Sequence, residues 1–323
     1  MKAGQATTKA PTTENEVKPT PERVAKSERQ LESGQKVSLA NILVATDFSA
    51  VSDRALEYAL ALARRYESKI YLTHVITSDA YQIMAPEFAA ETRESVRQAA
   101  EKGIAEILVS GRLRGVAHDV VLEEGALWPT INGLLDKLNI DLIVLGTQGL
   151  GAVKKILIGS SAEQIFRQTK RPVLTVGPAM KGETPAELDF KTILFATDFG
   201  VGAEREAAYA FSLAQEHGAK LILLHVIPYA EDYSEEGLSL KLKAVRNELK
   251  ELVPAGSENW CEPEYRMLIG NAAEEILRSA KESKADLIVM GAKKQKGLAG
   301  YVPHTKAYQV VSAAPCPVLT VRS

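Results

Sequence analysis

The sequence has little cysteine. Its 323 residues include two, Cys261 and Cys316, which lie far apart and form no Cys-x-x-Cys pair. Small secreted disulfide proteins and zinc-binding domains depend on several cysteines at short spacing. The sequence therefore disfavours both classes, and two isolated cysteines are typical of a protein from the reducing cytoplasm, which is the location we expect.

Long apolar runs and a strong charge of either sign are also missing. No run approaches the roughly 18 apolar residues that a membrane-spanning helix needs, and the N-terminal residues lack the apolar core of a secretory signal. The formal net charge is −2, so we expect neither nucleic acid nor a membrane surface as a partner. A hydrophobic content of 46% is ordinary for a globular chain of one or two domains.

The first 37 residues differ from the rest. They are rich in Thr, Lys, Glu and Pro and poor in large apolar side chains. Such a segment buries too little apolar surface to offset the entropy lost on ordering it. We therefore predict that residues 1–37 form a disordered tail.

The remainder of the chain is an internal repeat. Asn41–Phe48 (NILVATDF) reappears as Thr192–Phe199 (TILFATDF), and Pro172–Val176 (PVLTV) reappears unchanged as Pro317–Val321. Two further matches, LTHVI with LLHVI and DLIV with DLIV, lie between them in the same order. Four ordered matches indicate a duplicated domain. The predicted units are domain 1 at 38–178, a linker at 179–188 and domain 2 at 189–323.

Within each copy, short apolar strands alternate with amphipathic helices. Ala55, Ala59 and Leu62, for example, share one face of a predicted helix. Alternation of this kind predicts βαβ units and a parallel sheet. The predicted fold class is therefore α/β, with two tandem doubly wound five-stranded parallel-sheet domains of Rossmann-like type. Such sheets bind ligands at the carboxyl ends of their strands, where the strand order reverses.

The most specific motif follows the fourth strand of domain 1. The apolar run Asp141–Leu145 is followed by Gly-Thr-Gln-Gly at 146–149, nine further residues, and then Gly159, Ser160 and Ser161 at the start of a helical pattern. Glycines let the backbone approach a ligand, and a helix N-terminus offers N–H donors and the positive end of its dipole. The pattern predicts a phosphate site. The alternative is an ordinary strand–helix loop with a serine N-cap.

This motif resembles the ATP-binding signature of the universal stress protein family. Gly-x-x-Gly, nine residues and Gly-Ser are intact at Gly146, Gly149, Gly159 and Ser160, although Ser161 stands where the family often has valine. The resemblance covers almost everything after residue 38, in both copies. It implies a fold like that of the adenine-nucleotide alpha hydrolases, a role in survival under stress, and pairing of domains through their last strands.

The resemblance also implies a role for each residue of the crevice. The backbone near Val75 would meet adenine, Asp47 would lie near the ribose or a bound Mg²⁺, the glycines of the loop would face ribose and phosphates, and the Gly-Ser-Ser segment would hold the phosphates. Two alternatives stay open: Asp47 caps the helix that follows it, and Thr46 is an ordinary strand residue. The predicted nucleotide-binding residues are Thr46, Asp47, Val75, Gly146, Gly149, Gly159, Ser160 and Ser161.

Domain 2 departs from the motif. Gly291 matches its first glycine and Asp198 matches the acid after the first strand, but Lys294 and His304 replace the other glycines and Thr305 replaces the serine. Side chains would then occupy the positions where backbone approaches a phosphate. We predict that ATP binds in domain 1 alone and that domain 2 completes an intramolecular pair.

Other candidates carry weaker signals. Lys154 and Lys155 fall in the nine-residue segment and could pair with phosphates or face solvent. His74 and His225 recur at equivalent strand positions, and we expect them to be structural because no second ligand has metal-site spacing. We predict no catalytic residue and no metal site apart from Mg²⁺ at Asp47.

Three functions remain open at this point. The favoured one is an ATP-binding regulatory protein of the stress response. The alternatives are a slow ATPase and an ATP-independent stress scaffold. The sequence offers no convincing base or nucleophile and no Walker A motif, so we expect at most weak hydrolysis. A homodimer of the whole chain is left open.

Overall fold

A computed structural model describes residues 37–77, 86–147, 158–180, 187–229, 234–257, 260–292 and 305–322. Ten strands and eight helices alternate along these segments. The predicted tail lies outside them except for Val37, which is buried in the core and whose N–H donates to the Ser212 hydroxyl at 2.7 Å. The described part of the chain therefore begins at the last residue of the predicted tail, and the prediction of disorder for residues 1–36 lies outside the described residues.

Domain 1 is a doubly wound unit whose five parallel strands lie in the order β3-β2-β1-β4-β5. The order reverses between β1 and β4, which creates the crevice expected of this architecture. Its elements are β1 (Asn41–Ala45), α1 (Ala50–Tyr66), β2 (Lys69–Ile76), α2 (Pro86–Val109), β3 (His118–Glu124), α3 (Leu127–Lys137), β4 (Leu142–Gly146), α4 (Ser160–Gln168) and β5 (Val173–Val176).

Domain 2 repeats this topology with strands in the order β10-β9-β6-β7-β8. The reversal lies between β6 and β9. Its elements are β6 (Thr192–Ala196), α5 (Ala203–His217), β7 (Lys220–Ile227), α6 (Glu235–Glu251), β8 (Glu264–Ile269), α7 (Ala272–Glu282), β9 (Leu287–Gly291), α8 (Lys306–Ala313) and β10 (Val318–Val321).

The two domains join through their last strands, as expected. β5 pairs antiparallel with β10, with Leu174 opposite Leu319, and the sheet described by the structure runs through all ten strands. The hydroxyl of Thr175 donates to the carbonyl of Val318 at 3.1 Å, which adds a side-chain bond across the junction. Because the pairing is antiparallel, the carboxyl ends of the two sets of strands lie at opposite edges of the sheet.

Apolar side chains cover both faces of the sheet and continue across the junction. Helices α1, α2, α5 and α6 enclose one core, and α3, α4, α7 and α8 enclose the other; each core contains residues of both domains. The predicted helix face of Ala55, Ala59 and Leu62 is buried in the first core. Among the described residues, no helix combines the length and the apolar character needed to cross a bilayer.

Candidate functional site

The predicted residues of domain 1 converge where β1 and β4 end. Ala45 lies beside Leu145 in the parallel register, so the chain leaves the sheet at Thr46 and at Gly146 side by side. The Thr46 N–H extends the pairing with β2 by donating to the Thr73 carbonyl at 3.0 Å. This point is the reversal of strand order, the position at which doubly wound sheets bind ligands.

The turn after β1 is closed by its own side chains. The Thr46 hydroxyl accepts from the Phe48 N–H at 3.0 Å and lies 3.2 Å from the Ser52 hydroxyl. Asp47 Oδ1 accepts from the Ser49 N–H at 3.1 Å. The N-cap of α1 is Ser49, which accepts from the Ser52 N–H at 3.2 Å. The alternative that Asp47 caps this helix is therefore wrong, and Thr46 shapes the turn.

A histidine braces the same turn in each domain. His74 Nδ1 lies 2.8 Å from the Thr46 carbonyl, and its ring packs on Phe48 with centroids 4.6 Å apart. His225 repeats the bond at 2.9 Å and the ring contact at 4.5 Å with the equivalent residues of domain 2. Burial lowers the pKa of His225, which favours the neutral ring. The contacts agree with the structural role expected for both histidines.

Val75 lies one residue before the end of β2 and pairs with Glu123 of β3. Its half-buried side chain packs against the core on the α3 side of the sheet. Since β2 lies directly beside β1, the backbone at Val75 flanks the turn that carries Asp47. The predicted contact between this backbone and adenine stays a prediction.

Gly146 has a packing role in addition to any contact with a ligand. A methyl group built on it would lie 2.9 Å from the backbone nitrogen of Ser52 and 2.9 Å from the carbonyl carbon of Val51. Side chains do not tolerate such distances to backbone atoms. The first turn of α1 therefore packs directly on the end of β4, and only glycine allows this approach.

The two ends of the loop between β4 and α4 lie side by side. The Thr147 N–H donates to the Val176 carbonyl at 2.9 Å, and the Gly159 N–H donates to the Thr147 carbonyl at 2.6 Å. These bonds hold the start of α4 beside the end of β4. Gly149 and the two lysines of the loop lie outside the described residues, so their contacts with phosphates stay predictions.

The N-terminus of α4 is open. Its N-cap is Gly159, with φ −61° and ψ 148°, and no side chain caps the first turn. Ser160 and Ser161 are exposed beside it. The first N–H groups of a helix have no partner within the helix and carry the positive end of its dipole. Backbone N–H groups and two hydroxyls are thus available to an anion at the edge of the crevice.

In domain 2, a side chain caps the N-terminus of the corresponding helix. The N-cap of α8 is Thr305, whose hydroxyl accepts from the Tyr308 N–H at 3.2 Å. The repeat offset pairs Thr305 with Ser160, but α8 begins one residue later than that offset implies, so Thr305 occupies the N-cap position of Gly159. Lys294 and His304 lie outside the described residues.

Sequence reasoning missed a buried acid in domain 2. Glu206 of α5 is only 8% exposed, and a methyl group built on Gly291 would overlap its carboxylate. Asp198 follows Asp47 by 151 residues, and the same offset pairs Glu206 with Ala55. A charged residue on the buried face of a helix, at a position where the other copy has alanine, was the signal that could have identified it.

The helix that carries Glu206 begins later than its counterpart in domain 1. At the same offset α5 begins two residues later than α1, and its N-cap is Gly202, with φ +99° and no side-chain cap. The two serines that bond across the turn of domain 1, Ser49 and Ser52, correspond to Gly200 and Ala203. Loss of the serine cap and gain of Glu206 therefore occur together.

A cavity of about 1170 Å³ lies at the carboxyl ends of β6 and β9. Domain 1 contributes a wall, which is formed by α4 along its length, including Ser160 at its start, and by Trp128 at the start of α3. Arg322 joins the two domains there by donating to the carbonyls of Phe166 and Arg167 at the end of α4. Burial lowers the pKa of Arg322 to about 10. The cavity is lined by Asp198, Glu206, Leu224, Val226, Met290 and Thr305 of domain 2 and by Trp128, Gln164 and Phe166 of domain 1, among others.

Both copies match the same family of known proteins. A model of the universal stress protein family matches residues 39–177 and again residues 189–322. A universal stress protein of Mycolicibacterium smegmatis is 26% identical over 309 residues, which cover 89% of this chain and 99% of that protein. One from Thermus aquaticus is 39% identical over 141 residues, which cover 41% of this chain and 99% of that protein.

A solved structure repeats the two-domain fold. The crystal structure of a universal stress protein from Archaeoglobus fulgidus DSM 4304 matches with a TM-score of 0.66 at 22% sequence identity, over 89% of this chain and 97% of that one. The alignment spans both domains, and at this identity it speaks for the fold alone.

Proposed function

Because the chain belongs to the universal stress protein family, in two tandem copies, we propose that it is a regulatory protein of the stress response that binds ATP in domain 1. Domain 2 completes an intramolecular pair and has no site for the same nucleotide. ATP binding changes the conformation of the molecule and its contacts with other proteins. A cytoplasmic location is part of this proposal.

The contrast between α4 and α8 carries the proposal. Both helices begin at the carboxyl edge of their sheet, after the strand that follows the reversal of strand order. Only α4 offers an uncapped first turn flanked by exposed serines; in α8 the Thr305 hydroxyl already accepts the corresponding N–H bond. A phosphate needs donors that are not already in use, so the donor set fits a nucleotide in domain 1 and not in domain 2.

The remaining residues fit the other parts of an adenine nucleotide. The N–H groups and hydroxyls of the Gly159-Ser160-Ser161 segment would hold phosphate oxygens. Asp47 would accept from ribose hydroxyls or hold Mg²⁺. Among the described residues no three acidic, His or Cys side chains cluster to hold a metal, so Mg²⁺ would need the phosphates for most of its ligands, which is its usual mode of binding. Mg²⁺ would supply charge neutralisation at the phosphates.

Calorimetric titration of the full chain with Mg·ATP tests the site. We expect one ATP per chain. Gly159→Val should weaken binding at least tenfold, because its side chain would enter the space next to the phosphate donors. The backbone at 159 is extended and suits valine, so the fold should survive.

Thr305→Val, the same side chain at the N-cap of α8, is the matched control. It should lower stability by about 1 kcal/mol through loss of the cap, and it should weaken ATP binding far less than Gly159→Val does, because position 305 lies outside the proposed phosphate donors. Two equivalent sites per chain, or full affinity in Gly159→Val, would overturn the assignment. Nucleotide carried through purification separates the alternatives: ATP supports a binding protein, ADP supports a slow ATPase, and none supports a scaffold.

A further inference from the structure

The turn that carries Asp47 is held in place by an aromatic ring and a helix glycine. We infer that Phe48 and Gly103 of α2 are positioning residues of the ATP site, which hold Asp47 where it selects the ribose hydroxyls of the nucleotide. The inference rests on the proposed function, in which Asp47 lies near the ribose. It adds the residues that determine this selectivity and assigns Asp47 to the ribose.

Phe48 has a left-handed backbone conformation, with φ +63°. A residue with a Cβ stays in this region only where its surroundings determine it. Here the N–H of Phe48 donates to the Thr46 hydroxyl at 3.0 Å, and the ring packs on His74 with centroids 4.6 Å apart. The same turn directs the Asp47 carboxylate, because Oδ1 accepts from the Ser49 N–H at 3.1 Å. A shift of Phe48 therefore moves Asp47.

The ring of Phe48 also lies against the backbone of α2 at Gly103. A methyl group built on Gly103 would lie 2.8 Å from Cδ1 and Cε1 of the ring and 2.9 Å from Cγ. Side chains do not tolerate such distances, so any residue other than glycine at 103 would displace the ring. Glycine is unfavourable in the interior of a helix. The close approach of Phe48 gives a physical reason for its presence here.

Domain 2 repeats the turn but not the helix glycine. Phe199 has φ +56°, and its ring packs on His225 with centroids 4.5 Å apart. Two buried positions of α2 correspond to two buried positions of α6 at a separation of 145 residues: Ala100 to Val245 and Ile104 to Leu249. The same separation pairs Gly103 with Glu248, which is exposed. The turn thus belongs to the fold of both copies, whereas the glycine accompanies the nucleotide motif.

Displacement of the Phe48 ring should change the selectivity of the site more than its hold on phosphates. Hydrogen bonds weaken steeply as their angle departs from linear, and a binding group must be held within about 0.5 Å of its productive position. The proposed phosphate donors belong to the start of α4, a different element. A misplaced Asp47 should therefore cost the ribose contact alone.

Titration of the full chain with Mg·ATP and with Mg·2′,3′-dideoxy-ATP tests the inference. In the wild type the dideoxy analogue should bind about tenfold more weakly or worse, because it lacks the hydrogen bonds to a charged carboxylate. Gly103→Ala should reduce this affinity ratio at least threefold by weakening ATP. Gly133→Ala, the same change within α3 where the new methyl group meets nothing within 4 Å, is the matched control and should leave the ratio unchanged. An unchanged ratio in Gly103→Ala would overturn the inference.

Further variants test whether the ring transmits the effect. Phe48→Ala should lower the affinity ratio as Gly103→Ala does, and the double variant should lower it no further, because no ring remains to be displaced. Phe199→Ala removes the same ring from the turn of domain 2, so it should lower stability and leave the ratio unchanged. Additive losses in the double variant, or an equal loss of selectivity in Phe199→Ala, would contradict the inference.

Hydrogen exchange measured by mass spectrometry reports on the turn without any nucleotide. In Phe48→Ala, residues 46–49 should exchange at least tenfold faster, and residues 197–200 of domain 2 should keep their rate. An unchanged rate at 46–49 would overturn the inference whatever the nucleotides do. Equal binding of ATP and the dideoxy analogue by the wild type would overturn the inference and leave the ATP site in place. A wild type that binds neither would overturn the proposed function and this inference with it.

Discussion

Gly146 and Gly291 occupy the same place in the repeat and are required for different reasons. The Cα of Gly146 faces backbone atoms of α1, which cannot move without shifting the helix. The Cα of Gly291 faces the tip of the Glu206 side chain, which can rotate. A shared glycine in two copies therefore does not imply a shared ligand.

Gly146→Ala should destabilise the protein by about 1–3 kcal/mol, the usual cost of forcing extra volume into a packed site. Gly291→Ala should cost less, because a side-chain tip rather than a helix has to move. Urea unfolding of both variants beside the wild type measures the difference. Equal losses would show that α1 is not held against β4 as described.

Some positions in the crevice of domain 1 were predictable from the sequence, and others were not. The repeat located Asp47 and Gly146 correctly at the ends of neighbouring strands, because strand periodicity and order determine those positions. It did not identify Ser49 as the cap of α1, since Asp47, two residues earlier, belongs to an equally favoured type of N-cap residue. Glu206 was missed because the repeat was identified from the strands and the glycine motif, and not from the helix faces.

At the scale of elements, α4 is held at both ends by domain 2. The hydroxyl of Tyr308 accepts from the Ile158 N–H at 3.1 Å, just before the open N-terminus. Arg322 donates to the carbonyls of Phe166 and Arg167 at the other end, where the negative end of the helix dipole favours a cation. The helix that would hold the phosphates is thus positioned by residues of the other copy.

Tyr308→Phe should therefore weaken ATP binding to domain 1, although Tyr308 belongs to domain 2. A hydrogen bond of this kind contributes about 0.5–1.5 kcal/mol, so a loss of about 2- to 12-fold in affinity is expected. Tyr229→Phe, at an exposed position, is the matched control. Calorimetry with Mg·ATP measures both, and an unchanged affinity in Tyr308→Phe would show that the contact does not position α4.

The elements themselves were largely predictable. Four repeated sequences located four of the five strands of each copy, and the Gly-Ser motif located the beginning of α4, because buried parallel strands and helix caps have local signatures. The late start of α5 was not predictable, since its N-cap, Gly202, adopts a positive φ that glycine permits but does not require. Contacts between α4 and domain 2 depend on tertiary structure and leave no local signal.

At the scale of the whole molecule, the junction between the two domains creates a strand pairing and a cavity wall that neither copy has alone. The family resemblance implied the pairing of β5 with β10, and the repeated Val-Leu-Thr-Val segment supported it, because an unpaired apolar edge strand needs a partner. The cavity could not be predicted, since its walls come from both domains and from residues far apart in sequence. Pairing therefore shapes the second crevice as well as stabilising the fold.

A buried histidine at this junction connects the pairing to pH. His217, at the end of α5, is 7% exposed. Its Nδ1 accepts from the Phe190 N–H at 3.3 Å, and its Nε2 lies 3.3 Å from the hydroxyl of Tyr66 in domain 1. Nδ1 thus has no place for a proton, and burial lowers the pKa of His217 to about 4.

The protein should therefore lose stability as the pH falls from about 6.5, the ordinary pKa of histidine, towards 4. The unfolded chain takes up a proton in this window and the folded chain does not, so the contribution of neutral His217 is complete above the window and decreases through it. The slope from one such group is at most about 1.4 kcal/mol per pH unit.

The variant His217→Phe keeps an aromatic ring against Phe190 and removes the titration. The unfolding free energy of this variant should therefore fall less steeply over the same pH range. Carboxylates titrate equally in both proteins and cancel in the comparison. Urea unfolding of the two proteins at half-unit steps from pH 7.5 to 4 makes the measurement, and parallel curves would mean that His217 accepts its proton without disturbing the junction.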